Sequence, residues 1–263
     1  MASKAQVYAQ LSKDTAKRLT SSLEDWTGFL NTVGKLYRYN YHEQLMIYAQ
    51  RPDATACAEY DLWNNKMNRY VRRGSKGIAL LDPTGDTLKL RYVFDVSDTG
   101  GRENSRYPYL WNMQEYHEEP ILEMLKDKFD AEDNNLPNAF YNIARNMSKE
   151  YYDNHKGDIN YLIENSFLDE YDEDNIRKAF EDAATVSTAY ALMKRCRLDT
   201  NEYFEHEDFL PVFNFNTADS VALLGTVVSE QSEEILRGIA ITIIKTERER
   251  SEEYERNHLQ KER

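Results

Sequence analysis

An α+β fold, with a small three-stranded antiparallel sheet and helices in front and a mainly helical region behind, is predicted by three features of the chain. Short β-type runs cluster between residues 69 and 96. Capped, amphipathic helical periods precede them, and helical periods alone fill most of the remaining chain. Gly and Pro number only 10 and 6 in 263 residues, and 41% hydrophobic content is enough for a substantial core.

The first twenty residues are polar and predict a frayed end or a loose helix. Ser21 and Glu24 have capping-box spacing ahead of Trp26, Phe29, Leu30, Val33 and Leu36, which recur at helical period. Asn40 and Glu43 cap a second helix running to about Gln50. Arg51 precedes Pro52, which drives the chain out of helix. A short third helix is expected over 58–67, carrying Trp63. Strands are expected on both sides of the 72–77 turn as a hairpin, and a third over 88–96, where Tyr92, Phe94 and Val96 alternate with Arg91, Val93 and Asp95.

Residues 97–105 have linker composition. Beyond them, Pro120 suits a first helical turn, and further helices are expected over 137–152 and 174–197. A final helix pair is expected over 218–228 and 233–254. These periods divide the chain into a basic α+β unit (1–100), an acidic, mainly helical unit (106–245) and a charged helical tail or linker (246–263). The tail is compatible with a piece of a longer chain.

The net charge is −13, unevenly spread: residues 1–80 carry 12 Lys and Arg against 7 Asp and Glu, the remainder 21 against 39. Attraction to a polyanion therefore belongs to the front, because charges beyond about 10 Å are screened. Neither a membrane-length apolar run nor a signal-peptide pattern is present, and Cys57 and Cys196 are far apart. A cytoplasmic protein with reduced thiols is expected.

No catalytic constellation, metal site or cofactor is expected. The five histidines are isolated and fit surface or first-turn positions, and Met46 stands where a zinc-peptidase helix beginning at His42-Glu43 would need its second histidine. No phosphate-cradling glycine loop occurs. Asp95 and Asp98 could share Mg²⁺, but Asp at a strand end more often serves local hydrogen bonds. The acidic run 169–174 suits a helix N-terminus.

The strongest signal is the 69–81 stretch. Gly74 and Gly77 would permit a tight turn with φ > 0, presenting Arg69, Arg72, Arg73 and Lys76 on one small surface suited to phosphate. Arg38, Tyr39 and Tyr41 interleave cation and aromatic between two helices, and Trp63 and Tyr70 flank the turn. Unpaired bases stack on such rings for about 1–3 kcal/mol each, while cations hold the backbone. Trp63 and Tyr48 also sit at helical spacing, which suits a core equally.

Trp26, Phe29 and Leu30, Tyr39-Asn-Tyr, Gln44, the run Ala-Gln-Arg-Pro-Asp-Ala-Thr at 49–55, Tyr60, Trp63, and Val-Arg-Arg-Gly-Ser-Lys-Gly-Ile at 71–78 resemble the N-terminal domain of ArdC-type antirestriction proteins. The likeness is to the form that opens large multidomain proteins of Gram-positive conjugative elements. Segments 93–99, 213–217 and Leu224-Gly225 resemble the same proteins. The resemblance implies single-stranded DNA binding by the front and a role in antirestriction or transfer of mobile DNA. The metallopeptidase-like part of ArdC-type proteins is not implied, since His-Glu-x-x-His is missing. The contrasting expectation is an acidic helical half that imitates DNA and contacts a restriction or defence nuclease.

Overall fold

The computed structural model describes residues 3–82 and 89–261, with side chains through residue 256. The fold is α+β. Helix α1 (Lys4–Leu19) is well formed, with a capping box between Ser3 and Gln6 and Thr15, Ala16 and Leu19 buried. Helix α2 (Leu23–Lys35) is capped by Ser22, whose hydroxyl accepts the Asp25 N–H at 3.1 Å, so the expected Ser21 box is displaced by one residue. Helix α3 (Tyr41–Gln50) carries the Asn40–Glu43 capping box its sequence predicts.

The strands depart from the expected hairpin. β1 (Cys57–Glu59), β3 (Ile78–Asp82) and β4 (Lys89–Asp95) form an antiparallel sheet in the order β1-β4-β3. β2 (Arg69–Val71) pairs instead with β5 (Thr99–Gly101), in a separate antiparallel ribbon with Tyr70 opposite Gly100. The expected 58–67 helix is strand β1, one helical turn and a π-turn over Leu62–Lys66. The linker-like 97–105 segment supplies β5. Hydrophobic content explains the partition. β3 and β4 bury Ile78, Leu80 and Val93 with Leu36, Met46, Ile47 and Ala54. Val71 of β2 packs on a smaller cluster of Ala58, Trp63 and Val96. Leu88, expected to begin β4, lies outside the described residues.

Helices α4 (Glu118–Phe129), α5 (Leu136–Leu162), α6 (Glu173–Cys196) and α7 (Ala218–Lys261) form the second half. Helix α5 runs ten residues past its expected end, with non-helical backbone at His155. The expected final pair is the single helix α7, because its polar 229–232 interval faces inward. Gln231 is buried against Ser148 and Thr188, and the Ser229 hydroxyl donates to the Tyr39 carbonyl. Through residue 256 the tail of α7 is a solvated helix with Lys245–Glu249 and Arg248–Glu252 pairs.

The largest core crosses residue 100. Trp26, Phe29, Leu30 and Val33 of α2 share it with Phe180, Ala184, Val221 and Leu224 of α6 and α7. The Trp26 indole N–H donates to Ser187 Oγ at 2.9 Å, and the Thr20 hydroxyl to the Phe215 carbonyl at 2.8 Å. Front and back are therefore joined by buried apolar surface and by hydrogen bonds within it.

Candidate nucleic-acid interface

The basic turn is built by its backbone. The Ser75 N–H donates to the Arg72 carbonyl, and Gly74 at the third turn position has φ +91°, as a type II turn requires. Gly77 has no positive φ. Its role is space, since a Cβ there would lie 3.2 Å from both Tyr92 Cβ and Phe94 Cζ. The turn is tied to the 96–98 segment: the Arg72 N–H donates to the Asp98 carbonyl at 2.8 Å, and Arg72 Nη1 to the Ser97 carbonyl at 3.0 Å.

That tie explains Asp95 and Asp98. The buried Asp95 carboxylate accepts the N–H groups of Thr55, Ala56 and Ser97 at 2.7, 3.0 and 2.9 Å. Burial alone would raise its pKa, but these hydrogen bonds outweigh it and hold the carboxyl below its ordinary value. Asp98 pairs with Arg51 at 2.9 Å. Both carboxylates are engaged in holding the 95–98 segment against residues 51–56. Among the described residues no group of three or more His, Cys, Asp or Glu is placed to hold a metal ion.

Arg72, Arg73 and Lys76 are exposed, and Arg73 and Lys76 have no ion pair or hydrogen bond among the described residues. Arg69 is buried, its Nε donating to Thr99 Oγ1 at 2.8 Å while its guanidinium lies 4.9 Å from the centre of the Tyr107 ring. Four expected contacts fall elsewhere. Trp63 is core, its indole N–H donating to the Phe94 carbonyl at 2.9 Å. Tyr41 is core against Phe29 and α7. Tyr39 packs beside the sheet and donates its hydroxyl to the Cys57 carbonyl at 2.8 Å, and burial raises its pKa. Arg38 is exposed over Tyr37, but with Tyr39 it lines a cleft next to α6 and α7.

The exposed rings belong to other residues. Tyr70 is 44% and Tyr107 63% exposed, each against a guanidinium: Arg102 lies 5.6 Å from the centre of Tyr70, and Arg69 backs Tyr107. Tyr70 lies over Gly100, where a Cβ would come within 2.4 Å of its Cζ. Arg106 anchors the next segment, its N–H donating to the Met67 carbonyl. Arg102 falls within the linker-like 97–105 segment and Arg106 and Tyr107 directly follow it, so composition did not mark them as a site. The available signal was a repeat of the Arg69-Tyr70 pair as Arg106-Tyr107.

Burial pushes the thiols of Cys57 and Cys196 up to about 12, so neither is a thiolate nucleophile at neutral pH. His117, expected at the surface or in a first turn, is fully buried where a 3₁₀ turn enters α4. Its Nδ1 accepts the Gln114 N–H at 3.0 Å, and its Nε2 has no hydrogen-bond partner among the described residues.

Comparison with family models, with curated proteins and with solved structures yields no match. No helix among the described residues is long and apolar enough to cross a membrane.

Proposed function

We propose that the β2–β5 ribbon and the 72–77 turn bind single-stranded DNA, in a non-enzymatic module of an antirestriction or DNA-transfer protein. The observation that carries this is the pairing of exposed rings with guanidinium groups, Tyr70 with Arg102 and Tyr107 with Arg69, together with the exposed Arg73 and Lys76, which have no partner among the described residues. Rings held open on a β-surface suit unpaired bases, which offer a face that duplex DNA hides, while nearby cations track phosphates. The sequence resemblance to ArdC-type proteins supports the same partner. Fluorescence anisotropy with labelled oligonucleotides tests it. Single strands should bind more tightly than duplexes of the same length, and binding should weaken steeply with salt. Equal affinity for both forms, or none for either, overturns it.

A second reading has one specific observation in its favour. Glu115, Glu118, Glu119, Glu123, Glu132 and Asp133 surround a groove with Lys126 as its cation. Such a surface could meet the DNA-binding groove of a defence nuclease. Inhibition of a restriction enzyme that persists when the protein can no longer bind DNA would favour it.

A further inference from the structure

Where α2 and α6 end side by side, they open onto a two-lobed cleft whose lining includes none of Arg69, Tyr70, Arg102 and Tyr107. One lobe, of about 200 Å³, is lined by Lys35, Lys194, Arg195 and Arg197. The other, of about 190 Å³, adds Arg38 and shares Lys35, Thr55, Leu110, Trp111 and Arg195 with the first. Five cations thus line one cleft without a single carboxylate, in a chain of net charge −13. None of the five forms an ion pair among the described residues.

Last-turn cations do offset the carbonyl ends of helices, and Lys35, Lys194 and Arg195 occupy such positions. Five full charges exceed what two helix ends of about half a charge each call for. Arg38 and Arg197 also lie beyond the helices. Arg197 occupies the left-handed C-cap of α6 at φ +61°, where glycine is the usual residue. Arg195 is held ready: its guanidinium carbon lies 3.3 Å from the centre of the Trp111 ring, and Nη2 donates to the Trp111 carbonyl at 2.9 Å. Trp111 is fixed in turn by its indole N–H to the Tyr37 hydroxyl at 3.3 Å.

The second lobe adds Tyr37, Pro108, Tyr109, Ala240 and Ile244 to its wall. Tyr109, Leu110 and Ile244 are 55%, 40% and 48% exposed, so an apolar rim surrounds the mouth. Together the lobes reach the lower end of the range for small-molecule sites, on the order of 300 Å³. Lys194 and Arg197 line only the first lobe and Tyr37 and Tyr109 only the second, with Lys35, Arg195 and Trp111 between them, so a ligand anionic at one end and aromatic at the other can lie along the two.

We propose that this cleft binds a nucleoside phosphate, its phosphates against Lys35, Arg195 and Arg197 and its base in the lobe walled by Tyr37 and Tyr109. Arginine in a fixed orientation suits phosphate oxygens, which accept its parallel N–H donors. The site is independent of DNA binding by the ribbon.

Isothermal titration of the full chain, with no DNA present, tests it using ADP, UDP, adenosine and inorganic pyrophosphate as probes. ADP or UDP should bind one per chain with Kd below about 1 mM, a binding free energy of roughly 4 kcal/mol or more. Adenosine and pyrophosphate should each bind at least about tenfold more weakly, because each fills one lobe. The double variant Lys35→Gln, Arg197→Gly should lower the nucleotide affinity by about tenfold or more. Its glycine suits the left-handed C-cap, so folding is retained. Absence of saturable binding by both diphosphates overturns the proposal, as does pyrophosphate binding as tightly as ADP, or an unchanged affinity in the double variant. The same variant should keep the wild-type affinity for single-stranded DNA. If it loses that affinity while ADP fails to bind, the cleft belongs to a strand path and the nucleotide site is rejected.

Discussion

The ring of Tyr41 rests on the backbone of α7 at Gly225, so closely that a Cβ on the glycine would lie 2.1 Å from Tyr41 Cε2. This contact locks the first residue of α3 to the helix that closes the fold, and it accounts for the full burial of Tyr41. Gly225→Ala should therefore destabilise the protein by about 1–3 kcal/mol through overpacking, despite a gain of nearly 1 kcal/mol in helix propensity. Gly157 in α5 is exposed, with nothing within 4 Å of its added Cβ. There the same change should stabilise by about 0.5–1 kcal/mol. Thermal unfolding of the two variants checks the pair: opposite shifts in Tm are expected, and a stabilised Gly225→Ala protein would show that α3 and α7 are not in contact.

That contact also shows why only part of the site was legible. Helical periods, the Asn40–Glu43 box and the Pro120 and Pro137 positions are local signals, and the helices follow them. Strand partnership is not local. Nothing in residues 69–81 says that Arg69–Val71 will pair with Thr99–Gly101 and leave Ile78–Asp82 to another sheet, because both pairings preserve the same alternation. Tyr41 and Trp63 lie between cations in sequence, yet their rings turn inward onto distant helices and strands. Their burial depends on α7 and β4, so spacing could not reveal it. The exposed cations of the turn were legible, since glycine, arginine and lysine in a six-residue interval have little to bury.

Asp95 gives a prediction in the acid range. Its two carboxylate oxygens accept three backbone N–H groups, and its pKa lies below the ordinary 3.8 in the folded protein. The unfolded chain binds this proton first as pH falls, so the stabilisation is full above about pH 4 and is lost as pH drops through the folded pKa. Asp95→Asn retains one acceptor oxygen and turns an NH₂ toward backbone donors, which should cost about 2–4 kcal/mol at neutral pH. Urea unfolding at pH 7 and pH 3 checks both parts. The difference between wild type and variant should shrink at pH 3, and a constant difference would show that folding leaves the Asp95 pKa unshifted.

His117 predicts a second pH dependence with the same sign at higher pH. Burial lowers its pKa below 6.5, against the opposing pull of Glu247, and the nearby Arg250 lowers it further. Between pH 6.5 and the folded pKa the unfolded state holds the extra proton, so stability falls as pH falls through that window. One proton limits this contribution to about 1.4 kcal/mol per pH unit. In His117→Asn, an amide oxygen can accept the Gln114 N–H without titrating. Unfolding measured from pH 7.5 to pH 5 should show a shallower loss for the variant. Parallel curves for the two proteins would mean that His117 protonates as freely in the fold as outside it.

The ribbon predicts two separable effects on DNA binding. Arg72→Ala, Arg73→Ala and Lys76→Ala together remove three exposed charges, while Gly74 and the Ser75–Arg72 backbone bond keep the turn. Arg73→Ala and Lys76→Ala should each change stability by less than about 0.5 kcal/mol, and Arg72→Ala, which also loses the bond to the Ser97 carbonyl, by about 1 kcal/mol. Near 0.7 of a unit per lost phosphate contact, the slope of log affinity against log salt should fall by about two units. Tyr70→Ala should instead weaken single-strand binding by about 1–3 kcal/mol and leave that slope nearly unchanged, since stacking releases few ions. Tyr39→Phe, which removes only the hydroxyl bonded to the Cys57 carbonyl, should bind DNA like the wild type. Anisotropy titrations at several salt concentrations separate these outcomes. A folded triple variant with undiminished affinity and an unchanged slope places the strand away from the turn, whereas loss of binding in Tyr39→Phe would move it toward α3.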